Sequence, residues 1–349
     1  MPSTTYMVVD PRRDHSLRVP RPDLSDALAT PNPCTGCHTT MTNRWASRKI
    51  QDWRGSAPPP EPHWGEALNA GRSGDADAGA KLAQLISSSR NPAIARASAV
   101  SLFPRYADRD GLGVVAAALR DPEPLVRAAA LGALEGTEPE LRLRLVVPLL
   151  GDPIRTVRFE AARVSADLPR EQLAEADRQR LDSVLLEYRA AQRMDADRPD
   201  AQMRLAILEL QQGKPDAAKS ALERAIALDP SFIPAYVNLA DFHRAVGDDA
   251  AGERVLRDAL ARAPQHPDVH HALGLALVRQ GRLDAAIPEL QRAAELRPEM
   301  PRYAFIWAVA LHESGDLAGA KRVLGEAAAR HPGDPQIRGF LQQLQARQP

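Results

Sequence analysis

The sequence predicts an all-α fold, an α-solenoid of stacked helical hairpins, preceded by a small and mostly irregular segment. Three observations point there. Aromatic residues make up 4% of the chain and hydrophobic residues 44%, so Ala, Leu and Val must build the core. That composition suits closely packed helices better than β-sandwiches, which lean on aromatic and β-branched residues. An Asn-Pro or Asp-Pro motif recurs about every 30 residues at Asn91, Asp121 and Asp152. From about residue 199 the period becomes 34: Gly213, Gly247, Gly281 and Gly315 keep that spacing, as do Pro230, Pro264, Pro298 and Pro332.

The 349 residues are enough for two or three units with buried cores. Composition divides them into a segment 1–63, a first repeat region 64–170, a linker helix 171–198 and a second repeat region 199–349. Lys+Arg and Asp+Glu both number 45, so the formal charge is zero. Nucleic acid would reward a basic excess, and an anionic membrane surface would too, so neither is expected as a partner. No apolar run reaches the roughly 18 residues of a spanning helix, so no transmembrane segment is expected.

In the first segment Pro stands at 2, 11, 20, 22, 31, 33, 58, 59, 60 and 62, a density that blocks long helices and central strands. The expectation is extended loop with one short helix over 42–54, where Trp45, Lys49 and Trp53 share a face. Next come Asn91-Pro92, Asp121-Pro122 and Asp152-Pro153, each followed by an apolar helix: Ala97 to Phe103, Ala128 to Leu134 and Phe159 to Val164. Asp or Asn is expected to cap each helix with Pro at its first position. This pattern resembles HEAT repeats. In the 34-residue repeats, Ala218, Gly252, Ala286 and Ala320 mark close helix approaches. Ala225, Ala259, Ala293 and Ala327 form a second small row, and Leu222, Leu256, Leu290 and Leu324 fill the larger hole. Gly ends the first helix of each pair and Pro follows the second. These look like four tetratricopeptide (TPR) repeats, closed by a capping helix over 335–346.

The chain's two cysteines stand as Cys34-Thr35-Gly36-Cys37-His38, the C-x-x-C-H signature of covalent c-type haem attachment. Two thiols add across the haem vinyl groups, and the adjacent His38 is the proximal iron ligand. A structural zinc site would want a second ligand pair, and the first 65 residues hold none. A redox dithiol of the thioredoxin kind would want a βαβ setting. Met41 follows His38 too closely to reach the opposite face of the iron. His15 and His63 are the candidate distal ligands, with Met7 a further option, and a bis-His site would have the lower potential. Arg18, Arg21 and Arg44 could pair with haem propionates, although a solvated Arg is the simpler assignment.

Thr5-Tyr6-Met7-Val8-Val9-Asp10, Asp14-His15-Ser16, Pro20-Arg21-Pro22-Asp23-Leu24-Ser25 and Thr30-Pro31-Asn32-Pro33-Cys34-Thr35-Gly36-Cys37-His38 resemble the last-haem region of periplasmic multihaem c-type cytochromes. In that family HEAT-like and then TPR repeats follow, so the resemblance covers nearly the whole chain. It implies haem c, iron, an exported periplasmic protein and redox partner proteins. It also implies an N-terminal truncation. In similar proteins a Met-Pro like Met1-Pro2 directly follows the His of an earlier motif, so His15 or His63 could serve an upstream haem.

The function expected first is an electron-transfer cytochrome whose HEAT/TPR solenoid docks partner proteins, a carrier or scaffold rather than a catalyst. An adaptor with a vestigial or unoccupied C-x-x-C-H is the alternative, and a fragment of a multihaem reductase is a third reading. Val237, Asp241, His271, Leu275, Phe305 and Val309 are the expected groove positions for a peptide or protein ligand. They are not the Lys/Asn set that clamps a C-terminal carboxylate. His270, His271, His312 and His331 are expected to be structural or exposed rather than ligands.

Overall fold

The computed structural model describes residues 3–6, 10–13, 20–55, 63–107 and 111–346. The chain divides into two units, Met1–Asn69 and Ala70–Pro349.

In the first unit, strands β1 (Ser3–Tyr6) and β2 (Asp10–Arg13) pair antiparallel, with Ser3 opposite Arg13 and Tyr6 opposite Asp10. Three helices follow: α1 (Pro22–Leu28), α2 (Pro33–Cys37) and α3 (Asn43–Arg54). The expectation of loop with a single helix is therefore corrected. Pro22 and Pro33 start helices instead of preventing them, because a proline at the first helical position gives up an N–H that would have no partner anyway. Asn32 caps α2 by accepting from the Cys34 N–H at 2.9 Å, and its amide donates to Asn43 at 3.1 Å. Thr42 caps α3 through the Trp45 N–H at 3.2 Å. Caps of this kind contribute about 1 kcal/mol each. Helix α4 (Trp64–Ser73) begins in the first unit and ends in the second.

The second unit continues with α5 (Ala78–Ser87), α6 (Ala93–Leu102), α7 (Gly111–Ala118), α8 (Pro124–Gly132), α9 (Pro139–Leu145) and α10 (Arg155–Val164). Helices α6, α8 and α10 pack in succession around buried Val100, Val126, Leu131 and Val157. Here the expected capping is also corrected. The helices begin after Pro92, Glu123 and Ile154, so Asp121 and Asp152 stand too early to be caps. They bend the chain instead, accepting from the Glu123 N–H at 2.9 Å and the Ile154 N–H at 2.8 Å. Their other task is to link repeats. Arg96 pairs with Asp121, and Arg127 donates to Asp152 at 2.8 and 2.9 Å, so each arginine ties one repeat to the next. Arg142 is nearly buried and bonds Asp167 at 2.5 and 3.1 Å, with the Val164 carbonyl at 2.9 Å.

Helix α11 (Glu175–Met194) lies against both α10 and α12. Four hairpins follow: α12 (Pro199–Gln211) with α13 (Pro215–Leu228), α14 (Ile233–Ala245) with α15 (Asp249–Arg262), α16 (Pro267–Arg279) with α17 (Leu283–Leu296), and α18 (Pro301–Glu313) with α19 (Leu317–Arg330). Helix α20 (Pro335–Ala346) closes the stack. The predicted rows are the core. Leu222, Leu256, Leu290 and Leu324 are at most 1% exposed. Full burial of such a side chain stabilises by about 1.5–3 kcal/mol.

The turn inside each hairpin needs a left-handed residue. Gly247 has φ +78°; its N–H bonds the Arg244 carbonyl at 3.0 Å and the Asp248 N–H bonds the His243 carbonyl at 2.9 Å. Gly281 repeats the geometry at φ +74°. Only glycine enters this conformation without a Cβ penalty, which is why the 34-residue spacing is legible as glycine. The end of the unit returns to its start: a Cβ on Gly333 would collide with the Gly74 carbonyl oxygen.

Candidate functional site

The hairpins hold an open cavity of about 570 Å3 between α14, α16 and α18. Val237, Asp241, His271 and Leu275 line it, as the repeat register predicts. Phe305 and Val309 do not. Phe305 packs edge-on to Phe340 of α20, with centroids 5.8 Å apart, so the capping helix covers that end of the groove. The sequence reading missed Arg244, Arg279, Arg302 and Tyr303, which also line the cavity. Arg244 and Arg279 stand one turn beyond the predicted Asp241 and Leu275, a signal that extending the i, i+3/i+4 face would have found.

Most charges here are already paired. Arg244 donates to Asp241 at 2.6 Å and Arg279 to Asp249 at 2.8 Å. Asp268 accepts from Arg297 at 3.0 Å and from the Tyr303 hydroxyl. Burial, helped by Asp268, pushes the Tyr303 hydroxyl up to about 12. Exposed Arg302 makes no ion pair among the described residues.

The histidines separate clearly. His270 bonds Glu289 at 2.6 Å and the Pro264 carbonyl at 2.9 Å, and Tyr236, 34 residues earlier, bonds the Pro230 carbonyl at 3.1 Å. These contacts clamp successive hairpins. His331 does a similar task on the Pro298 carbonyl at 2.9 Å. His271 is 8% exposed and stacks on Tyr303 at 4.6 Å, yet among the described residues neither ring nitrogen has a hydrogen-bond partner. Burial, reinforced by Arg302, holds its pKa down at about 4, so the ring is neutral at pH 7.

The first unit has its own cavity of about 170 Å3, lined by Cys34, Cys37 and His38 with Trp45, Ile50 and Trp53. Helix α2 puts the two thiols one turn apart, and α3 turns its tryptophan face to them. Both cysteines are free. The His38 ring lies 5.0 Å from Trp45, and Trp53 is 77% exposed. Two free thiols, an adjacent imidazole and an uncovered aromatic shelf fit a covalently held porphyrin. Among the described residues no group of three or more His, Cys, Asp or Glu converges as a metal site.

His63 is not among the residues lining this cavity; its Nδ1 accepts from the Gly65 N–H at 3.1 Å and its ring packs on Trp64. His15, Met7 and Arg18 lie outside the described residues. Arg21 is held by Asp23 at 2.8 Å, whereas the Arg44 side chain is 80% exposed and only 4.0 Å from Asp26. Among the described residues no helix is long and apolar enough to cross a membrane.

The second unit is thus an all-helical hairpin-repeat solenoid with an open cavity among its hairpins. Its hairpins are tetratricopeptide repeats: one such family model matches residues 209–276 and 277–344, and another matches 173–231. The latter match starts upstream of the expected boundary at 199 and takes in α11, where buried Tyr188 stands 34 residues before Leu222. A TPR repeat-containing protein of Pseudomonas aeruginosa is 33% identical over 122 residues, which is 35% of this chain and 48% of that protein. The chain therefore spans about half the length of this curated relative.

Two crystal structures are also similar. MamA is 20% identical, over 46% of this chain and 96% of that one, with a TM-score of 0.38. YrrB, described as a TPR protein with an unusual peptide-binding site, is 21% identical over 46% of this chain and 82% of that one, with a TM-score of 0.38.

Proposed function

We propose that the chain is a protein-docking scaffold that takes a segment of a partner protein in the groove of α14, α16 and α18. The observation that supports this is the 570 Å3 cavity with an apolar floor and a rim of charges, on the face that the repeat register leaves free. The first stack, α5 to α10, is read as HEAT-like on the Asp–Arg ladder and would extend the scaffold. A random peptide display library selected on the full chain tests the groove. Enriched peptides should lose binding to Leu275→Glu, a half-buried lining position, while circular dichroism shows the variant folded. If no selected peptide is sensitive to that substitution, the docking reading fails.

A second reading rests on the Cys34–Cys37–His38 cavity: the first unit carries haem c and the protein is an electron-transfer cytochrome. When bound, haem would supply one-electron redox chemistry. Cys34 and Cys37 would anchor it, His38 would ligate iron, Trp45 and Trp53 would shield it, and Arg44 would pair with a propionate. Haem attachment on the exported side would make the protein periplasmic, with redox proteins as partners. A pyridine haemochrome spectrum of protein exported alongside haem-maturation machinery decides it. Covalent haem should appear and be lost in Cys34→Ala/Cys37→Ala; with no covalent haem in the parent protein, the scaffold reading stands alone.

A further inference from the structure

His271 is the group in the groove that the fold does not explain. A buried imidazole with both nitrogens unpaired is destabilising, and native proteins normally satisfy such groups. Its sequence neighbour His270, by contrast, has both nitrogens bonded. The charges beside His271 are also unbalanced. Asp241 and Asp268 already accept from Arg244, Arg297 and Tyr303, and Arg279 is held by Asp249. Among the described residues that line the cavity, one cation remains, Arg302, close enough to His271 to bias its protonation. One uncommitted guanidinium beside one uncommitted imidazole N–H calls for one carboxylate. Next to them, half-buried Leu275 and Met300 offer apolar surface.

We propose that this end of the groove is a subsite for an acidic side chain of a partner segment, its carboxylate held between His271 and Arg302 while an adjacent apolar side chain covers Leu275 and Met300. The proposal rests on the docking reading above and specifies the chemistry of its partner. A charge-assisted bond to Arg302 and a bond from the neutral imidazole would satisfy both groups at once. A basic partner segment would meet the free guanidinium and find the two carboxylates already engaged.

The test uses the same displayed peptide library on the full chain, with Leu275→Glu, Arg302→Gln and Arg302→Glu in parallel. Arg302 is exposed, so its variants should fold as the parent does. Peptides sensitive to Leu275→Glu should carry Asp or Glu beside an apolar residue. A fluorescein-labelled selected peptide should bind Arg302→Gln at least about tenfold more weakly, and Arg302→Glu more weakly still. Changing its acidic residue to the amide should weaken binding to the parent protein by a similar factor and to Arg302→Gln much less. Groove-dependent peptides without acidic bias, or affinities unmoved by Arg302→Gln, overturn the subsite and leave the docking reading intact. Absence of any groove-dependent peptide removes both.

Discussion

The state of His271 can be measured directly. Its pKa lies near 4 against an ordinary value of 6.5, chiefly because the ring is buried, with Arg302 adding repulsion and Asp268 opposing it. Around it α14 presents Asp241 and Arg244, α16 presents Asp268 and Arg279, and α18 presents Arg302 and Tyr303. In the folded chain the ring stays neutral until about pH 4, while in the unfolded chain it takes up a proton below about pH 6.5. The unfolded state therefore binds more protons between these values. Stability from this group is fully present above pH 6.5 and is lost as the pH falls towards 4. About 2.5 pH units at 1.36 kcal/mol each gives a loss of about 3 kcal/mol.

His271→Leu removes that component and the unpaired nitrogens together, so at pH 7.5 the variant should be more stable by about 1 kcal/mol. Repeat stacks can open in stages, so the quantity to compare is the local opening free energy of α16 from amide hydrogen exchange. The parent should lose about 3 kcal/mol more than the variant on going from pH 7 to pH 4. In the parent the His271 Cε1 proton should titrate near pH 4 by NMR. A midpoint near 6.5, or a parent–variant difference that does not change with pH, would refute the reasoning.

Two further perturbations probe the repeat stacks. Gly281→Ala should cost about 1 kcal/mol, since a Cβ there meets nothing within 4 Å and the left-handed backbone is the whole penalty. Gly325→Ala is its control: that position is inside α19 and open around the Cβ, so the same methyl should raise the melting temperature. Arg142→Met should cost about 1–3 kcal/mol in urea unfolding, because it leaves the buried Val164 carbonyl without its Arg142 donor, while the 42% exposed Asp167 side chain is rehydrated. A loss under about 1 kcal/mol would mean the pair behaves as a surface salt bridge.

Much of the second unit was legible in the sequence because each hairpin states its own requirements locally. A glycine in the left-handed turn and small residues at the tight helix contact recur at 34, and those demands do not depend on distant neighbours. The first unit was less legible. Proline density suggested loop, yet Pro22 and Pro33 each sit at a helix start, and composition alone does not distinguish a breaking proline from a starting one. The Asp-Pro motifs are legible in the sequence, but their role is not. Asp121 and Asp152 look like caps locally, and their partners Arg96 and Arg127 lie 25 residues upstream.

By itself the sequence determined the helical class, the period of the second stack, its buried rows and the grouping of Cys34, Cys37 and His38 on one short stretch. Tertiary structure alone decided which polar groups are used up and which are left over. His270 and His271 show why. They are adjacent, on one helix and of one chemistry, but successive residues point about 100° apart around a helix axis. One ring therefore meets Pro264 and Glu289, and the other faces Tyr303 and the groove. Which neighbour a side chain meets depends on how hairpins stack, and that is set by the summed packing of all of them.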